Sequence, residues 1–202
     1  MVLVQTPTPG QQAFAGVKEA VEKHEVKLPQ AKPKVFMDVA IEGTPAGRVV
    51  VELDMDKAPL TCANFLALCT GSHKDKFDNR LHYKGTIFHR ILPKMYLCGG
   101  DVVNNNGTSG VSIYGDTFPD EKSDLKHDVP GVLSMLGHGP NTNNSQFFIS
   151  LTPAPWMDEF YVPFGRVITG LDMLNKISEQ YGTETGVPKT DSVRIAECGN
   201  LQ

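Results

Sequence analysis

The sequence predicts a mainly β domain, an antiparallel barrel capped by two α-helices and preceded by a helical N-terminal extension. Three observations lead there. From Val35 onward, short β-branched and aromatic runs are separated by Gly, Pro and Asn. Only two segments of that region carry helical spacing. Nothing repeats at a fixed period, and the strand–helix alternation that builds a parallel sheet is missing.

Residues 1–33 form the extension, bracketed by TPTPG and by a Pro-Lys-rich stretch from Leu28 to Lys34. Between them Phe14, Val17, Val21 and Val26 recur at helical spacing among Lys18, Glu19, Glu22 and Lys23. That pattern predicts an amphipathic helix, which either packs on its own domain or offers its stripe to a protein partner. The main domain, residues 34–202, opens with VFMDVAI and RVVVELD flanking EGTPAG, a hairpin pattern. APLTCANFLALCTG reads as a helix, with Pro59 in its first turn and Gly71 just past its end. Strands are expected at TIFHRIL, MYLCG, VLSML, QFFISL, VPFGRVI and SVRIAEC, and a second helix at LDMLNKISEQ, ending near Gly182.

Composition excludes several functions. The net charge is −4, and the 19 Lys and Arg are scattered, so no block exists to neutralise several phosphates or to grip an anionic membrane. No nucleic acid and no membrane is therefore expected as partner. The opening MVLVQTPTPGQQ has no basic-then-apolar leader pattern, and the chain is expected to be soluble and cytoplasmic. Four cysteines lack CxxC spacing and six histidines lack HExxH or C2H2 spacing, so neither a metal nor a cofactor is expected. The segment NNNGTSG lacks the GK[ST] of a phosphate loop, and no serine sits in a GxSxG elbow.

Four strings carry a more specific signal in their order: Phe88-His89-Arg90-Ile91-Leu92-Pro93 followed by Gly99-Gly100-Asp101; Ser112-Ile113-Tyr114-Gly115; Gly139-Pro140-Asn141-Thr142-Asn143; and Ser145-Gln146-Phe147-Phe148-Ile149. With Trp156, Phe164-Gly165 and Cys198-Gly199, this region resembles the cyclophilin family from Val35 to the end. The resemblance implies an eight-stranded antiparallel β-barrel with a helix at each mouth, and cis/trans isomerisation of X-Pro bonds in proline-containing peptides and protein clients. It implies Arg90 as the catalytic residue, Gln146 as the group holding substrate backbone and Phe148 as the floor of a proline pocket. Met95, Tyr96 and Met157 take pocket-wall positions where the family usually has Phe, Met and Leu. Trp156 matches the rim tryptophan that bonds cyclosporin in relatives, and Tyr161 stands where His is common.

Two departures touch the site itself. Cys98 replaces a glutamine that braces the arginine, and Leu136-Gly137-His138 replaces an Ala-Asn-Ala segment, so that Gly137 offers substrate only its backbone. They keep open an alternative, a proline-segment binding module or chaperone scaffold with reduced turnover. Arg90 beside Cys98 is expected to favour the thiolate. The stretch Ser72 to His82 resembles the insertion of a divergent-loop subgroup, in which cysteines at the positions of Cys69 and Cys198 are proposed redox sensors. Val111 replaces the glutamate that tethers that loop.

The implied reaction suits these residues. Rotation about X-Pro breaks amide resonance against a barrier of roughly 18–20 kcal/mol. As the bond twists, the prolyl nitrogen regains its lone pair, and a donor aimed there binds the transition state selectively. Arginine stays charged and presents donors in a fixed fork. No proton moves, so His89 and His138 receive no acid–base role.

Overall fold

In the computed structural model, which describes residues 32–190 and 192–201, the sheet begins with a hairpin of β1 (Lys34–Ile41) and β2 (Thr44–Leu53). The helix predicted around Phe14–Val26 lies outside the described residues. Alternation sets the two faces of the hairpin: Val35, Met37, Val39, Val49, Val51 and Leu53 point into the core. On the outer face Arg48 lies 4.1 Å over the Phe36 ring and donates to Asp38 at 2.6 and 2.8 Å. The turn is tighter than the EGTPAG pattern suggests. Only Glu42 and Gly43 are outside the strands, with φ of 51° and 80°, the positive pair that a two-residue hairpin turn needs. Pro45 fits within β2 because β9 (Pro163–Thr169) pairs only with Val50–Leu53, so no ladder N–H is lost.

Eight strands of the described residues form one antiparallel sheet in the order β10-β1-β2-β9-β7-β8-β6-β5. Here β5 is Arg90–Leu92, β6 Tyr96–Gly99, β7 Val132–Met135, β8 Phe147–Ser150 and β10 Val193–Leu201. The sheet curls into a half-barrel rather than a fully laddered barrel. Of the expected strand TIFHRIL, Arg90–Leu92 forms β5, and Ile87 makes only an isolated antiparallel bridge to Arg194 of β10. Residues just before it reach β10 through Phe88 N to Val193 O at 2.8 Å and Ile195 N to Thr86 O at 2.9 Å. The ladder cannot continue along β5 because Ile91 already bonds to Gly186 O (2.9 Å) and to Thr183 N (3.3 Å).

Two α-helices of the described residues pack on this sheet. α1 (Pro59–Thr70) buries Cys62, Phe65, Leu68 and Cys69, and Phe65 meets Tyr83, Phe147 and Phe164 at centroid distances of 5.1–5.2 Å. No local side chain caps its start. Instead the distant Glu121 carboxylate accepts from Leu60 N at 3.0 Å, and from Thr61 N and Thr61 Oγ1 at 2.7 Å each, placing negative charge at the helix N-terminus. α2 (Leu171–Tyr181) buries Leu174 and Ile177. The insertion after α1 holds a further small hairpin, β3 (His73–Lys74) with β4 (Arg80–Leu81), where the sequence suggests a loop. Arg80 ties it to the end of α1 by donating to Gly71 O at 2.7 Å and Thr70 O at 3.0 Å.

Candidate functional site

Strand register assembles the site. Arg90 on β5 lies opposite Cys98 on β6, Cys98 opposite Phe148 on β8, and Phe148 opposite Ser134 on β7. One row thus crosses four strands, and residues in such a row share a face. It faces outward, because the neighbouring positions Ile91, Leu97, Ile149 and Leu133 belong to the hydrophobic core. Above the row is a cavity of about 400 Å³, lined by Arg90, Tyr96, Cys98, Gln146, Phe148, Met157 and Tyr161 together with His89, Gly107 and the Leu136-Gly137-His138 segment. No carboxylate among the described residues lines it.

Phe148 forms the floor. Tyr161 meets its ring edge-on at 5.1 Å, Tyr96 at 6.3 Å, and the His127 ring stacks against it at 5.7 Å with planes 13° apart. His127 is itself pinned: its Nδ1 lies 2.7 Å from Asp158 Oδ1, its Nε2 2.6 Å from Ser134 Oγ, and its backbone N–H donates to the same Asp158 oxygen at 2.9 Å. Burial tends to raise the Asp158 carboxyl, but the two His127 N–H groups and nearby Lys126 outweigh it and hold the carboxyl below its ordinary value. The three residues resemble a hydrolytic triad in order of contact. They serve packing instead, since Ser134 and His127 are fully buried beneath Phe148 and no substrate reaches the hydroxyl. Sequence reasoning missed all three; His127 and Ser134 meet only because of the β7–β8 register.

Gln146 is held from the opposite side. Its amide Nε2 donates to Ser109 O at 2.7 Å and Gly107 O at 3.2 Å, which leaves Oε1 as a buried acceptor without a partner. The carbonyls that hold it belong to a loop wound on Asp101. That buried carboxylate accepts backbone N–H bonds from Val103, Asn104, Asn106, Gly107 and Ser109 at 2.9–3.2 Å. Burial raises the Asp101 carboxyl, yet these bonds prevail and its pKa is lowered. Burial lowers the pKa of His89 beside it, outweighing the opposing pull of the Asp101 charge.

The remaining residues separate into those inside and outside the cavity. Gly137 contributes backbone to the lining; a Cβ there would lie 3.2 Å from Thr142 Oγ1. Met95 sits in the β5–β6 turn, 36% exposed, and does not line the cavity. Trp156 lies on a short 3-10 turn, Pro155–Met157, 57% exposed and outside the lining, while its neighbour Met157 lies within it. The thiolate expected at Cys98 is reversed. Burial pushes the thiol up to about 12, and the opposing pull of Arg90 is the smaller effect. Cys69 and Cys198 lie away from the lining, with His82 Nε2 3.0 Å from Cys69 O and 3.5 Å from Cys198 Sγ. Burial raises both thiols, Cys198 to about 12. Val111 bonds through its backbone N–H to Ser145 Oγ at 3.3 Å.

Among the described residues no three His, Cys, Asp or Glu side chains cluster as a metal site, and no helix is long and apolar enough to cross a membrane. Residues 36–200, most of the chain, match the family described as cyclophilin type peptidyl-prolyl cis-trans isomerase/CLD. The chain belongs to that family.

Proposed function

From that membership we propose that the chain catalyses cis/trans rotation of X-Pro bonds in peptide and protein clients, assisting their folding, with Arg90 as the catalytic donor. One observation carries the reading: the row Arg90–Cys98–Phe148 sets a guanidinium at the edge of an apolar floor, in a cavity that no carboxylate of the described residues lines. The pyrrolidine ring would rest on Phe148 between Tyr161 and Met157, which fixes one side of the bond while the other turns. Gln146 lines the cavity, and its buried Oε1 would accept a substrate backbone N–H once the amide turns toward the cavity. Arg90 would then donate to the prolyl nitrogen as it pyramidalises. A thousandfold acceleration requires about 4 kcal/mol of differential stabilisation, within reach of a charge-assisted bond in a largely dry site.

Cyclosporin is a proposed ligand of the same cavity, with the exposed Trp156 indole as its rim donor; titration calorimetry reads its affinity. A reducing, cytoplasmic setting is proposed with it. A second reading has its own support: Cys98 and Gly137 bring neither a brace for the arginine nor a side-chain amide to the cavity, as a binding module with slow turnover would have it. An NMR exchange assay on an Ala-Pro peptide separates the two. Accelerated exchange supports the enzyme; saturable binding without acceleration supports the module.

A further inference from the structure

Residues 183–187, between α2 and β10, belong to none of the sequence motifs, yet they run along the free edge of β5, the strand that bears Arg90. Ile91 N donates to Gly186 O at 2.9 Å and Thr183 N to Ile91 O at 3.3 Å. The loop closes on itself through Gly186 N to Thr183 O at 3.0 Å and Thr183 Oγ1 to Val187 O at 2.7 Å. At its tip Gly186 has φ of +82°, and a Cβ there would fall 2.9 Å from Arg90 Nε, 3.0 Å from Arg90 Cγ and 2.8 Å from Leu92 Cδ1. The stem and Nε of Arg90 therefore lie flat on the glycine backbone. Among the described residues no carboxylate lines the cavity to fix the guanidinium. A long side chain without an ion-pair partner is aimed by what it packs against.

We propose that Gly186, held out by the Thr183–Val187 loop, is a positioning residue for Arg90, and that the missing side chain leaves the space in which the guanidinium reaches the cavity. This rests on the isomerase reading above. The backbone bonds fix the height of the platform relative to β5, and the bare Cα fixes how closely the arginine approaches it. Any side chain at this position displaces Arg90 or Leu92, and Arg90, being the more exposed of the two, moves first.

The test uses Gly186→Ala in the full chain, with an Ala-Pro peptide as substrate. Displacement of a catalytic group by about an ångström predicts a kcat loss of tenfold to about a hundredfold, with KM changed less than about twofold. The Arg90 Nε–H resonance should shift in the same variant. Gly43→Ala is the control for backbone strain alone, because Gly43 has φ of +80° and a Cβ there would meet nothing within 4 Å; it should leave kcat and the resonance unchanged. In an Arg90→Ala background, Gly186→Ala should lower the residual rate no further. If Gly186→Ala does not fold, Thr183→Val loosens the same platform without adding bulk, and should lower kcat severalfold and shift the resonance. Unchanged kcat with an unshifted resonance, or an equal loss with and without Arg90, overturns the proposal. A wild-type chain without turnover refutes the isomerase reading, and the Arg90 resonance in the glycine variant still decides the positioning role.

Discussion

Two adjacent rows of the same four strands differ completely in character. Ile91, Leu97, Ile149 and Leu133 face inward, are fully buried and are all aliphatic. One residue along, Arg90, Cys98, Phe148 and Ser134 face outward and include a cation, a thiol, an aromatic ring and a hydroxyl. The strands impose this by alternation, and the difference teaches a division of labour. The inner row holds the sheet together through close packing, which any residue of the right volume supplies. The outer row depends on particular groups at particular angles, with loops bracing Phe148 through His127 and Asp158, and the neighbouring Gln146 through the Asp101 loop.

The division breaks most visibly in the inner row. Leu97→Ala should destabilise the fold by about 2–5 kcal/mol, read from urea denaturation, while kcat/KM of the folded fraction changes little. A large kinetic loss at full folding would erase the separation between rows. In the outer row, Cys98→Gln should raise kcat/KM severalfold, since an amide can brace Arg90 where a protonated thiol cannot. The larger side chain enters a position only 2% exposed, so stability should fall by about 1–3 kcal/mol. Unchanged turnover would assign Cys98 to space-filling alone.

Much of this contrast is legible in the sequence, and the rest is hidden for a physical reason. Alternation in VFMDVAI and RVVVELD is local and marks the inward residues directly. Arg90, Gln146 and Phe148 stand in ordered motifs, and all three line the cavity. What the sequence hides depends on register and on long-range contacts. Glu121 caps a helix some sixty residues earlier, and nothing around either partner signals the pairing. His127, Ser134 and Asp158 converge from a loop, a strand and the chain after a 3-10 turn. The half-barrel seam follows from the Thr183–Gly186 loop competing for β5, a contest that strand propensity does not record. Motif position alone puts Met95 and Trp156 at the pocket, while turn geometry sets where their side chains sit.

Acid sharpens the comparison at Asp101. Its folded pKa lies below its ordinary value of 3.8, so its stabilising contribution is fully present above the unfolded value and is lost as pH falls through the folded one. Within that window the Val103–Ser109 loop should loosen before the inner row melts. KM should rise ahead of the loss of secondary structure; simultaneous changes would show that the loop and the core unfold as one unit. The smallest expected effect is at Cys98, whose buried thiol is held near 12. Iodoacetamide at pH 7 should label it only on unfolding, and rapid labelling of the folded chain would mean that the outer row is open to solvent there.

The central claim is that Arg90, the exposed end of the outer row, carries chemistry without carrying stability, and Arg90→Ala tests it most directly. NMR exchange on an Ala-Pro peptide, measured beside a urea titration, should show catalysed isomerisation falling about a hundredfold to a thousandfold with an unchanged denaturation midpoint. Turnover retained near the wild-type rate, or lost only in proportion to unfolded protein, would contradict it.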